Sequence, residues 1–356
     1  MKISFVKNLI NECSNNNELV ELRNLSFKDE PVVVSIICLV FNHAKFISRC
    51  LDAFLAQKVN FRVEILVHDD ASTDGTSEII RQYHEKYPSI IVPVLQKENQ
   101  YSKGVNIENQ ILSKLIKGKY VTICEGDDYW TDSLKLTIQK QIFENHSACR
   151  FVVHKAKRVN LDGGTTGFIP NQKTKTSIFS SKEITPTIIK KYFFHTTSYM
   201  FLSDDYKKYC SNLPLFAKNM KVGDYALQLY FSTLGDTVYL DREMSIHVDN
   251  VPGSWTDKNR KNEGANLENL NNMVLCLKLF DEFTEGKFHD ACIGRMRIYE
   301  MHVLYKNKKY SDIVYNKDYS RALRRYDRKT YMTIKLMVKH PKLYAFLKKV
   351  KGGSNG

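Results

Sequence analysis

Four short apolar runs leave this chain few ways to fold. The run "VVVSIICLV" (32–40) is continuous and β-branched rather than alternating, the mark of a strand covered on both faces. "VEILVHDD" (63–70), "IIVPVL" (90–95) and "YVTICE" (120–125) repeat the pattern. Between them lie three segments with helical character. Asn42 is a plausible cap for the first, which carries Phe46, Cys50 and Phe54 on one face with Leu51 and Leu55 beside them. The second, "TDGTSEIIRQYHEKYP" (73–88), is stopped by its proline, and the third covers 104–117. Strand and helix alternating at this spacing predict an α/β fold with a mostly parallel sheet and helices on both faces.

In such a sheet ligands bind at the carboxyl ends of the strands, and three polar clusters fall there: "FNH" (41–43), "HDDASTDGT" (68–76) and "EGDDYW" (125–130). Singly, Asp69 and Asp70 suit a turn and Asp74 or Thr76 a helix cap. Together, Phe41, Asp69, Asp70, Asp127 and Asp128 are expected to line one crevice. Carboxylates this close repel one another by about 4 kcal/mol per pair at the effective dielectric of a partly buried site. A nucleotide suits the crevice, yet neither G-x-G-x-x-G nor G-x-x-x-x-G-K-[ST] occurs, which leaves a Rossmann cofactor site and a P-loop unsupported. Clustered carboxylates suit Mg²⁺ or Mn²⁺, which would offset the repulsion while clamping a diphosphate.

"VSIICLVFNHAKFISRCLDAFLAQ", "VEILVHDDASTDGTSEIIRQY", "NQYSKGVNIENQI" and "GKYVTICEGDDYWTD", in this order and spacing, resemble the nucleotide-binding half of a family 2 glycosyltransferase of the GT-A fold. The resemblance covers 32–145 strongly and 146–255 more loosely. It implies that Phe41 stacks on the nucleotide base in place of the usual Tyr, with Asn42 and Lys103 in the nucleotide site. It also implies that Asp69 and Asp70 bind uracil and ribose. The D-x-D element becomes Glu125, Gly126 and Asp127, with Asp127, helped by Asp128, on the metal. In the second half "KVGDYALQLYFSTLG" fits the acidic element that deprotonates the acceptor hydroxyl: Asp224 is then the catalytic base, and Gly223 replaces the more usual acid. If Asp224 is only a helix cap, Asp204 or Asp205 is the next candidate. "SIHVDNVPGSW" resembles the segment that closes over the diphosphate, and offers His247 as a further metal ligand or a phosphate contact. "HTTSYMFLS" (195–203) is expected as a strand under the acceptor, with His195 and Ser198 as contacts and Trp130 and Trp255 bordering the acceptor sugar.

The expected organisation is a polar N-terminal extension (1–30), a nucleotide-sugar-binding half (31–130), an acceptor-binding half (131–255) and a helical, basic C-terminal region (256–356). The net charge of +14 resides mostly in the last of these: Lys287 to Lys351 hold 18 Lys and Arg against five acids. "KHPKLYAFLKKVKGG" places Leu343, Phe346, Leu347 and Val350 on one helical face flanked by lysines, the layout of a foot on an anionic lipid surface. Nucleic acid is not an expected partner, because no module for it is recognisable. The eight cysteines show no C-x-x-C pair and read as reduced core residues. With no spanning segment or secretory signal, the expected place is the cytoplasm, at the inner face of the plasma membrane. The reaction implied is a metal-dependent, inverting transfer from a UDP-sugar to a glycan or lipid-linked saccharide of a surface polysaccharide. A nucleotidyltransferase and an inactive glycan-binding scaffold are the alternatives.

Overall fold

The computed structural model describes residues 3–26, 29–171, 173–190, 194–252 and 263–345. Two compact units emerge: one comprises 1–213 and 224–254, the other 214–223 and 255–356.

The first unit opens with α1 (Ile3–Ser14) and β1 (Val20–Glu21), followed by β2 (Val34–Val40), α2 (Ile47–Leu55), β3 (Lys58–Val59) and β4 (Val63–Asp69). Next come α3 (Thr76–Lys86), β5 (Ile91–Leu95), α4 (Ile107–Gln110), β6 (Tyr120–Glu125), β7 (Tyr129–Trp130) and α5 (Lys135–Asn145). The later part holds β8 (Cys149–Val159), β9 (Thr165–Ile169), β10 (Ser177–Phe179), α6 (Ser181–Lys190), β11 (Met200–Leu202) and α7 (Ser203–Ser211). After α8 (Leu215–Asn219), which belongs to the second unit, come α9 (Gly223–Leu234) and β12 (Asp236–Val248).

β2 lies between β4 and β6, parallel to both, and β5 extends the parallel part beyond β4. Val34, Ile36, Ile37 and Cys38 of β2 are completely buried. Each such apolar side chain contributes about 1.5–3 kcal/mol by leaving water, which is why the run is uninterrupted. Pro93 sits on the edge strand β5, where its missing N–H costs no ladder bond. On the other side the sheet continues through β11, β8, β12 and β10, with β11 antiparallel to both β6 and β8 and β12 parallel to β8. Register puts Val40 opposite Asp69 and Leu39 opposite Glu125, so the first three acidic loops leave the sheet at one edge.

Several sequence expectations change. Asn42 caps nothing: α2 begins at Ile47, and Asn42 adopts a left-handed backbone (φ 57°) in the preceding loop. Residues 104–117 form two short turns, α4 and a 3-10 turn at Leu112–Lys114, because Leu112 and Ile116 must reach the core while Glu108 meets the buried Tyr206 hydroxyl. The segment 195–203 is a strand only over β11, preceded by a 3-10 turn. α1, far from being only polar, buries Val6, Leu9 and Cys13, and the Cys13 thiol donates to Gln141 of α5 at 2.8 Å. All eight cysteines are buried and unpaired as disulfides, as expected.

The second unit contains α8, α10 (Glu263–Phe283), α11 (His289–Lys306), α12 (Tyr310–Tyr315), α13 (Lys317–Tyr326) and α14 (Arg328–Lys339). Met301, Ile313, Leu323, Tyr331 and Ile334 form a small core there. Tyr331 and Ile334, at the start of the basic run, are therefore not available to lipid. Residues 341–345 are helical and Leu343 is half exposed, while Phe346, Leu347 and Val350 lie outside the described residues.

Candidate active site

The first two loops are laced together by short polar side chains. Asn42 accepts from the Thr73 N–H (2.9 Å), and its own N–H donates to the Ser72 hydroxyl (2.8 Å). The His43 N–H donates to Thr76 Oγ1 (3.0 Å) and the Ala44 N–H to Asp74 Oδ2 (3.0 Å). Asp69, fully buried, accepts from the Ser72 N–H and from the hydroxyls of Ser72 and Ser77. One of its oxygens is saturated, so its first role is to hold this loop. Asp70 accepts the N–H of Gln100 (2.7 Å) on one oxygen and of Tyr101 (3.0 Å) on the other. A lone pair remains on each, and of the two acids it is the one able to take a further donor. Phe41 stands 41% exposed and Tyr101 67% exposed on loops that Asp70 joins, since the Asp70 N–H also donates to the Val40 carbonyl (3.0 Å). Lys103 lies on the surface, paired with Glu98.

The third loop brings the remaining acids together. Gly126 packs so tightly that a Cβ would lie 2.9 Å from Val40 Cγ2 and 3.0 Å from His43 Nδ1. Asp127 is 7% exposed and its Oδ1 has no hydrogen-bond partner; the nearest cationic candidate is His43 Nε2, 3.8 Å from Oδ2. Burial, then Asp128, pushes its carboxyl up to about 7. Glu125 is open to the crevice, and its carboxyl is held well above the usual range by the desolvating walls and by Asp127, Asp128, Asp224 and Glu108. Asp128 behaves in the opposite way. Burial disfavours its charge, yet His247, His195 and the Val248 N–H (2.9 Å) outweigh that and hold it below the ordinary value.

His247 Nδ1 lies 3.1 Å from Asp128 Oδ1, and His195 Nδ1 lies 3.7 Å from Asp128 Oδ2. The two imidazole rings are 4.1 Å apart. Burial, then His247, drives His195 down to about 3, so it is neutral; His247 is raised, because Asp128 and Asp249 outweigh its burial. One ligand atom from each of Asp128, His195 and His247 falls within 4.8 Å of the others. With the unpartnered Asp127 Oδ1 nearby, this oxygen and nitrogen set fits a divalent cation.

Asp224, in the first turn of α9, is half-buried and accepts from the Tyr225 N–H at 2.8 Å. Burial, then Glu108, raises it to about 6. Its electrostatic coupling to Glu125 and His247 brings it to the same crevice. Glu108, which sequence reasoning missed, is held by the Tyr206 hydroxyl at 3.0 Å. His43 was also missed, although "FNH" carried it.

Two expected acceptor contacts are core residues instead. Trp130 is 3% exposed and packs on Phe54 at 4.5 Å, with the buried Lys135 ammonium over its ring at 4.1 Å. In the two-residue β7, alternation turns it inward where Tyr129 turns out. Ser198 is fully buried, and its hydroxyl donates to the His195 carbonyl at 2.6 Å, so it has no reach to an acceptor. His195 does line the site, but beside Asp128. Trp255 lies outside the described residues.

A mixed sheet whose parallel half carries carboxylates at its strand ends, continued by a second half with both parallel and antiparallel pairs, is the architecture of the GT-A fold. The structure resembles S. aureus TarS 1–349 in complex with UDP-GlcNAc at a TM-score of 0.57 and 16% identity, over 87% of this chain and 92% of that one. The family model described as glycosyl transferase family 2 matches residues 35–207 of this chain. An uncharacterized protein of Mycobacterium bovis is 28% identical over 222 residues, 62% of this chain and 60% of the relative. A chondroitin synthase of Pasteurella multocida is 26% identical over 257 residues, 70% of this chain but 24% of that protein. The chain thus spans 60% of the length of the first of these curated relatives and 24% of the second.

Proposed function

We propose that this protein is a metal-dependent, inverting glycosyltransferase that moves a sugar from a UDP-sugar to a glycan or lipid-linked saccharide in surface polysaccharide synthesis. The observation that carries the reading is Asp127. A carboxylate so buried, with one oxygen unpartnered and its proton affinity raised, is costly unless a cation joins it. Relatives support the substrate class: a TarS structure holds UDP-GlcNAc, and a poly(ribitol-phosphate) β-glucosyltransferase of Bacillus spizizenii is 34% identical over 97 residues.

In this reading Phe41 stacks on the base, with Tyr101 on the neighbouring loop, and Asp70 accepts from the nucleoside. Asp127, Asp128 and His247, with His195 beside them, hold Mn²⁺ or Mg²⁺. The cation, when bound, neutralises the diphosphate and stabilises its departure as leaving group. Asp224 takes the proton of the acceptor hydroxyl as that oxygen attacks the anomeric carbon from the face opposite the diphosphate, giving inversion in one displacement. A carboxyl raised to about 6 by its surroundings is a better base at neutral pH than an ordinary aspartate, and is still ionised there. No helix among the described residues is long and apolar enough to cross a membrane. Association with an anionic membrane surface at the cytoplasmic face would rest on the basic C-terminal run.

The test is hydrolysis and transfer over a panel of UDP-sugars with and without Mn²⁺. Metal-dependent turnover of at least one donor is expected. No turnover and no metal-dependent UDP binding would leave a scaffold or binding role.

A further inference from the structure

His247 has a carboxylate at each ring nitrogen. Nδ1 faces Asp128, while Nε2 lies 3.5 Å from Asp249 Oδ1. Asp249, 6% exposed, is itself held from two other strands: Arg158 of β8 donates through Nε (3.0 Å) and Nη2 (2.7 Å) to Oδ1, and the Thr166 hydroxyl of β9 donates to Oδ2. The Asp249 N–H is fixed as well, donating to the Val159 carbonyl at 2.7 Å. Two strands, β8 and β9, thus fix the position of one carboxylate, and that carboxylate faces the His247 imidazole.

A histidine that binds a cation through one nitrogen is commonly oriented by a carboxylate at the other, which fixes the tautomer and makes the ligand more basic. We infer that Asp249, braced by Arg158 and Thr166, is the positioning residue for His247: it faces Nε2 at the far edge of the ring, so that when a cation takes the place of the Nδ1 proton that Asp128 accepts, the remaining ring proton stays on Nε2 and the Nδ1 lone pair is turned to the Asp128 cluster. The His195 ring, 4.1 Å away, limits rotation of His247 from its face, and Asp249 limits it from its edge. This inference rests on the metal-dependent reading above and adds a residue that touches neither metal nor substrate.

The experiment measures Mn²⁺ binding to the full chain without donor, by titration calorimetry and by Mn²⁺ EPR, with a thermal melt for each variant. Wild type should bind one Mn²⁺, and His247→Ala should lose it. Asp249→Asn keeps the shape but not the charge, and should weaken binding about 10- to 100-fold. Asp249→Glu should recover part of that loss, and Thr166→Val, which removes one brace, should give a smaller loss in a protein that melts like wild type. Absence of Mn²⁺ binding by wild type would sink the metal reading itself. Binding that needs His247 but is unchanged in Asp249→Asn would overturn the role of Asp249 alone. Should the Asp249 variants fail to fold, Thr166→Val decides: wild-type affinity there overturns the proposal.

Discussion

Removing the Asp127 carboxylate should make the metal-free protein more stable. Asp127 is held at about 7 against an ordinary value near 4, first by burial and then by Asp128, so the folded state grips its proton more tightly than the unfolded chain does. The unfolded chain therefore gives up that proton first, and stability falls as pH rises from about 4 through about 7. At about 1.4 kcal/mol for each tenfold change in proton affinity, that difference sets a ceiling of about 4 kcal/mol. Asp127 and Asp128 titrate as a pair, so the share lost with Asp127→Asn is nearer 2 kcal/mol. In EDTA at pH 8 the Asn variant should melt several degrees above wild type, while at pH 5 the gap should close. Added Mn²⁺ should reverse the order: wild type gains about 2.7 kcal/mol at a hundred times the dissociation constant, and the variant gains little. If wild type and Asp127→Asn lose the same stability between pH 5 and pH 8 in EDTA, Asp127 is not an uncompensated charge, and the argument for a cation there fails with it.

Asp224→Asn preserves size and the bond from the Tyr225 N–H, and should cut turnover about 10²- to 10⁴-fold with UDP affinity unchanged; near-normal turnover would move the base elsewhere. Asp205 is then a poor substitute, because it pairs with Arg150 at 3.6 Å. Gly126→Ala drives a methyl into Val40 and His43, and should cost about 1–3 kcal/mol by denaturant titration together with metal affinity; wild-type values for both would show that the loop yields freely. A chain ending at His340 keeps the Tyr331 and Ile334 core and should float less with anionic liposomes than the full chain, in a salt-sensitive way. Equal flotation of the two would remove the tail as a membrane foot.

The parallel half of the sheet was legible because each of its strands is buried on both faces and writes that burial into an unbroken apolar run. β8 and β12 were not legible: they run 11 and 13 residues, mix Lys, Arg and Glu with apolar positions, and owe their length to pairing with each other across about ninety residues of chain. Local pattern carries no trace of such a partner. The same holds within the site. Asp127 and Asp128 stood out as neighbours in sequence, but only β12 reveals that Asp128 is satisfied by His247 and Val248, while Oδ1 of Asp127 has no hydrogen-bond partner. Trp130 and Ser198 were misread because proximity in sequence to a functional residue says little where backbone direction reverses within one or two positions. Lys135 was invisible for a further reason: a fully buried lysine, lowered to about 7 by desolvation and held by Thr122 and Gln139, contradicts what the residue type leads one to expect.

The distribution of donors sorts the acids at this sheet edge into two kinds. Asp69, Asp70, Asp74 and Asp249 have both oxygens occupied by the protein's own N–H or O–H groups or by arginine, and they tie loops and strands to one another. Their removal is expected to loosen the frame. Glu125 and Asp127 have repulsion without such relief, and Asp224 has the Tyr225 N–H as donor against burial and the charge of Glu108, with Glu125 coupled to it. A fold that supplies donors so freely a few residues away has not run short of them. On the proposed function, leaving those three under-satisfied would keep their lone pairs for groups that arrive with substrate: a cation on Asp127, and a hydroxyl proton on Asp224. The stability given up by their repulsion would then be recovered on binding, which would tie occupancy of the crevice to the rigidity of the loops that form it.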